Sequence, residues 1–210
     1  MGHHRHHLRP SNLVTGKSKF GGARWRHAGF SLIEVLVSVV VLSFGLLGMV
    51  GMQAAALQAN REARLQSSAV VLARELAEMV RGNKDSVARY LGDFTSSLTP
   101  TTASSCLNVA SATACASKDA VANAQMTEWL GRVGAELPGA KVRICADTAP
   151  FDTTTGLPVW ACTGTGTDGV VVVKIGWTKG STNRSLTGNS ALDKATIPSI
   201  VLPVTAGDPA

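Results

Sequence analysis

Hydrophobic positions along the chain fall into three regions of different period. The first run is nearly continuous: "GFSLIEVLVSVVVLSFGLLGMVGMQAAAL", Gly29 to Leu57, broken by one charge at Glu34. Val35 to Leu57 is 23 residues without a charge. As a helix it spans about 34 Å, enough for a hydrocarbon core of about 30 Å, and a globular core helix rarely stays apolar on every side for that length. The next stretch is amphipathic. Leu65, Ala69, Leu72, Leu76 and Met79 recur at steps of four, three, four and three, a single helical stripe. Arg74 and Glu78 lie four apart on the other side, spaced to pair. "RGN" at Arg81–Asn83 supplies a stop. One helix of about 78 Å from Phe30 to Arg81 is predicted.

The third region mixes periods. Residues 95–117 form a Ser/Thr/Ala loop containing two cysteines. "KDAVANAQMTEWLGRVGAELPG" predicts a short helix ended by Pro138-Gly139, with Met126, Trp129, Leu130, Val133 and Leu137 on one face. "AKVRICA" predicts a strand. "GVVVVKIGWTK" predicts another, with Val171, Val173, Ile175 and Trp177 alternating onto one face. "SIVLPV" predicts a last strand, and Pro198 and Pro203 place it at an edge. A long helix followed by a small antiparallel sheet is an α+β plan. The expected divisions are a leader at 1–29, a membrane half of the helix at 30–57, an amphipathic half at 58–82 and a globular head at 83–210, long enough for one modest domain. Gly45, Gly48 and Gly51 interrupt the helix, each costing about 1 kcal/mol against Ala. Two readings stay open for them: a close packing face, or a place where the helix loosens.

Charge changes the picture. The 210 residues carry a formal net charge of +6. Residues 1–29 hold Arg5, Arg9, Lys17, Lys19, Arg24 and Arg26 and no Asp or Glu. Removing those six from twenty leaves fourteen basic residues against fourteen acidic ones. The basicity belongs to a leader, so no nucleic-acid contact is predicted. It also places the N-terminus on the cytoplasmic side of a membrane and the C-terminal part across it. All five histidines precede Phe30, and "HHRHH" reads as part of a disordered tail. Without the leader no histidine remains, which excludes Ser-His-Asp, Cys-His and His-ligated metal chemistry. No cofactor and no metal is expected.

The cysteines are Cys106, Cys115, Cys145 and Cys162, none in a CxxC. Beyond a membrane segment, an even number reads as two disulfides in an oxidising compartment. Three pairings exist. Sequence neighbours, Cys106–Cys115 and Cys145–Cys162, are preferred because each closes a short loop. "GTGTDG" at Gly164–Gly169 fits G-x-G-x-x-G, but a Val-rich strand follows where a dinucleotide site needs a helix, so it reads as a turn. "TGKSK" at Thr15–Lys19 lacks the first glycine of a Walker loop.

Glu34 is the anomaly. A carboxylate at mid-bilayer costs roughly 2.5–3.5 kcal/mol, so an intramembrane ionisable group reads as functional. A cleaved signal peptide, with an A-x-A site at Ala54–Ala56, does not account for it, and the apolar run is too long for one. A plain single-pass anchor leaves it unexplained too. A cut after Gly29 would give Phe30 a new α-amino group one helical turn from Glu34, and a carboxylate in a first helical turn also suits the macrodipole.

"GFSLIEVLVSVVVL" resembles the cleavage and assembly motif of type IV pilins and related pseudopilins. The resemblance implies that a prepilin peptidase cuts between Gly29 and Phe30 and N-methylates Phe30. It makes Glu34 the fifth mature residue, which attracts the Phe30 amine of an adjacent subunit. The leader is longer than many in that family, and a start at Val14 would leave a compact basic one. The similarity narrows further along the chain. "VLSFGLLGMVGMQAAALQANREARLQSSAVVLARELAEMVRGN", "WLGRVGAELPGAKVRIC" and "VVVKIGW" resemble the PilV group of minor pilins, the type IV pilus modification proteins. That implies a non-enzymatic subunit, single-pass in the bacterial inner membrane with a periplasmic head. Its implied partners are prepilin peptidase, other minor pilins, the major pilin and inner-membrane lipid. It would act in a priming complex and reach the surface pilus. The alternative is a minor pseudopilin of a type II secretion system, which genomic neighbours would distinguish. The competing class is a membrane-anchored periplasmic enzyme.

Overall fold

The computed structural model describes residues 29–108, 110–111, 113–164, 169–181, 183 and 185–204. The leader before Gly29, with its histidines, "TGKSK" and the Val14 start, lies outside the described residues, as do residues 165–168 of "GTGTDG". The chain divides into two units, Met1–Val50 and Gly51–Ala210.

Helix α1 is Leu32–Gly82, 51 residues, within two residues of the predicted bounds. It continues through Gly45, Gly48 and Gly51, and a Cβ on any of the three would meet nothing within 4 Å. In the second unit its stripe turns into core. Ala69, Leu72 and Leu76 are buried, Leu65 and Met79 pack against them, and Ala73, Ala77 and Val80 widen the buried face. The helix stops at Asn83, whose N–H donates to the carbonyls of Met79 and Val80 at 3.1 and 3.3 Å. The expected Arg74–Glu78 pair does not form, because the Glu78 carboxylate takes Arg81 instead at 2.5 Å, three residues on.

A 3₁₀ turn, Lys84–Arg89, leads to strand β1, Gly92–Phe94. Helix α2 is Lys118–Glu136, capped by Ser117, whose Oγ accepts the Ala120 N–H at 3.1 Å. Its five predicted core residues are all fully buried. Trp129 Nε1 donates to the Leu72 carbonyl at 2.9 Å, and Arg132 forks onto Glu75 at 2.8 and 2.5 Å, so α2 is pinned to α1 at two levels. Pro138-Gly139 then turns the chain. Gly139 has φ +57°, where a Cβ would also strike Thr178 Oγ1 at 2.4 Å.

Strands β2, Lys141–Asp147, and β3, Val170–Gly176, pair antiparallel over seven residues. β6, Ile200–Pro203, closes the order β1-β2-β3-β6, with the proline-flanked strand at the edge as predicted. A second, two-stranded sheet pairs β4, Lys179–Gly180, with β5, Leu192–Asp193. The architecture is α+β: a long N-terminal helix whose second part packs on a small antiparallel sheet. On the core side Val142 and Ile144 face Ile175 and Val173 across the register. The opposite side of β3 is buried as well, Val172 and Lys174 included. The alternation read in the sequence anticipated one covered face; the structure has two.

Candidate assembly site

The site runs from Gly29 to Leu42, the three residues before α1 and its first turns. The helix begins when the Ser31 carbonyl accepts the N–H groups of Glu34 and Val35 at 3.0 and 3.3 Å. That places Glu34 in the first turn, where unspent N–H groups and the macrodipole favour an anion. Phe30 and Glu34 are four residues apart, and both line one shallow cleft with Val35, Ser38, Val39 and Leu42. Phe30 is 82 % exposed, and even the least exposed of the large side chains in this run, Val40, is 45 % exposed. No described residue covers this surface. Among the described residues no cation lies against the Glu34 carboxylate. Gly29 has open space where a Cβ would stand, so the Gly29–Phe30 bond is not occluded by any described neighbour.

Between Val35 and Met52 the only polar side chains are Ser38 and Ser43. Ser38 Oγ donates to the Glu34 carbonyl at 2.6 Å, and Ser43 Oγ to the Val39 carbonyl at 2.7 Å. Each hydroxyl is satisfied inside its own helix, which is what a hydrocarbon surround requires. Length and composition make α1 a candidate membrane span.

Two family comparisons match the chain in adjoining pieces. Residues 26–50 match the prokaryotic N-terminal methylation motif. Residues 51–123 match the Type IV pilin Tt1218 family, "Tt1218-like". Over these two stretches the chain is similar to type IV pilins. No curated protein and no solved structure matches it. Type IV pilins are structural, non-enzymatic proteins, and the methylation motif implies processing by a prepilin peptidase in the context of pilus assembly.

The chain also carries a buried cluster that sequence reasoning missed. Its disulfides join Cys106 to Cys115 and Cys145 to Cys162, with Cα–Cα distances of 5.0 and 6.4 Å. The second bonds β2 to the loop of residues 148–163. Beneath that loop lies Lys174, fully buried. Its Nζ donates to the Val159 and Ala161 carbonyls at 2.8 and 2.5 Å and meets Asp147 Oδ2 at 2.5 Å. Two of the three N–H donors of the ammonium go to these carbonyls, and the Asp147 carboxylate balances its charge as an ion pair. The other Asp147 oxygen, Oδ1, accepts the Thr163 hydroxyl at 2.8 Å and the N–H groups of Ala149 and Thr163 at 3.0 and 3.2 Å. Burial opposes the charge on Asp147, but the bonds from Lys174, Thr163 and the two backbone N–H groups outweigh it and hold the carboxyl at about 2. Gly169, with φ +96°, lets the chain pass this aspartate, since a Cβ there would come within 2.9 Å of its backbone. The available signal was the run "VVVVK": four consecutive valines break the alternation of a strand with one wet face.

Proposed function

We propose that this protein is a minor type IV pilin of the PilV kind. Prepilin peptidase cuts between Gly29 and Phe30 and N-methylates Phe30. Residues 1–29 are then the discarded leader, 30–57 the half of the helix that lies in inner-membrane lipid or against neighbouring subunits, 58–82 the half that packs on its own head, and 83–210 the periplasmic head. The subunit joins other minor pilins and the major pilin in a complex that primes assembly and travels to the pilus surface.

One observation carries this reading. A fully exposed apolar helix presents a single carboxylate, Glu34, without a described cation, one turn from the residue that cleavage would convert into a cation. The partner is therefore supplied by processing, either by the subunit's own Phe30 amine or by that of a neighbour.

Mass spectrometry of the mature N-terminus tests it. N-methyl-Phe30 is the expected result; an intact leader or a cut near Ala56 overturns it.

A further inference from the structure

A groove opens in the second unit beside the last apolar turns of α1. Its helical wall is Ala55, Gln58, Ala59 and Glu62, spaced on one face, with Arg61 at their flank. The opposite wall is the Pro138-Gly139 turn with Lys179 of β4 and Asp193 of β5. Its volume of about 870 Å³ lies within the range of small-ligand sites.

The charges in it are unevenly used. Lys179 is occupied: its Nζ lies 3.1 Å from Glu62 Oε1 and 5.0 Å from the centroid of the Trp177 ring. Arg61 and Asp193 have no side-chain hydrogen bond or ion pair among the described residues. The groove thus offers one free guanidinium and one free carboxylate around a neutralised pair. A purely anionic ligand would satisfy the first and be repelled by the second.

We infer that this groove seats the headgroup of a phosphoethanolamine phospholipid, with the phosphate on Arg61 and the primary ammonium on Asp193. The inference rests on the membrane-anchored reading of α1. Ala55 belongs to the apolar run that ends at Leu57, so the groove stands where that run leaves hydrocarbon. A guanidinium binds phosphate oxygens through paired N–H donors. A carboxylate accepts hydrogen bonds from a primary ammonium but none from a quaternary one, so the site discriminates phosphoethanolamine from phosphocholine.

The mature full-length chain, reconstituted in phosphatidylcholine bilayers doped with phosphatidylethanolamine or with phosphatidylglycerol, is extracted gently and its bound lipid read by native mass spectrometry. Phosphatidylethanolamine is expected to be retained about tenfold over phosphatidylcholine, the worth of one hydrogen bond to a charged group. Asp193→Asn abolishes that preference, Arg61→Gln lowers retention of both zwitterionic lipids, and Arg64→Gln, on the same helix but outside the groove, changes neither. Equal retention of the two zwitterionic lipids, better retention of phosphatidylglycerol, an unchanged preference in Asp193→Asn, or unchanged retention in Arg61→Gln overturns the site. Alkaline extraction separates the two levels. A chain washed out of the bilayer sinks the membrane reading itself; a chain that stays but shows no headgroup preference sinks only the groove.

Discussion

The proposed function places the weight of the apolar half of α1 on one side chain, Glu34. Its position was legible because a lone charge in a long apolar run has few explanations. The structure adds that no described cation neutralises it and that its place in the first turn suits its charge. Glu34→Ala is expected to leave cleavage and membrane insertion intact and to reduce recovery in sheared pili several-fold. Unchanged recovery alongside normal processing would remove its role in assembly. Glu34→Asp tests reach: if charge alone matters it restores recovery, and if the carboxylate must extend to a neighbour's amine it restores only part. Lys174 was not legible in the same way. A lysine in an alternating strand reads as solvent-facing, and only the loop of residues 148–163, folding back from sixteen residues of irregular sequence, makes it buried.

At the scale of elements, the sheet was read correctly where packing dictates pattern. Val173, Ile175 and Trp177 alternate because one side meets α1 and α2, and the five core positions of α2 repeat because a helix presents one face. The elements missed were those too short to show a period: β1 has three residues, β4 and β5 two each. The second covered face was missed because its cover is a loop held by specific polar contacts, and no hydrophobic period encodes it. Removing one partner there leaves a buried, unpaired charge, so Lys174→Met is expected to destabilise the fold by about 3–5 kcal/mol, whereas Lys174→Met with Asp147→Leu recovers most of it. Thermal unfolding of the detergent-solubilised chain reads both. Acid should act at the same place. The Asp147 carboxyl is depressed from 3.8 to about 2, so its stabilisation is complete above the ordinary value and is lost as pH falls through about 2, a contribution of about 2 kcal/mol. Asp147→Asn is expected to flatten the fall in stability between pH 4 and 2; an unchanged acid profile would show that other carboxylates govern it.

At the scale of the whole molecule, the two disulfides divide the labour unequally. Cys106–Cys115 spans nine residues within one loop, while Cys145–Cys162 spans seventeen and ties the loop of residues 148–163 to a central strand. Loss of the second, by Cys145→Ser with Cys162→Ser, is expected to cost about 3 kcal/mol and to open residues 148–163 to protease. Loss of the first leaves that segment protected. Limited proteolysis with mass mapping distinguishes them, and equal cleavage in both variants would refute the division. The apolar half of α1 raises a different matter, that of changing surroundings. Between Val35 and Met52 the only polar side chains are Ser38 and Ser43, and both hydroxyls are already spent on their own helix. Passage from lipid into a bed of neighbouring helices therefore breaks no hydrogen bond in this stretch and exchanges one apolar contact for another. Such a helix is nearly indifferent to which of the two media holds it. On the proposed function the direction of travel is left to Glu34, whose carboxylate would distinguish a bilayer from a row of charged amino termini.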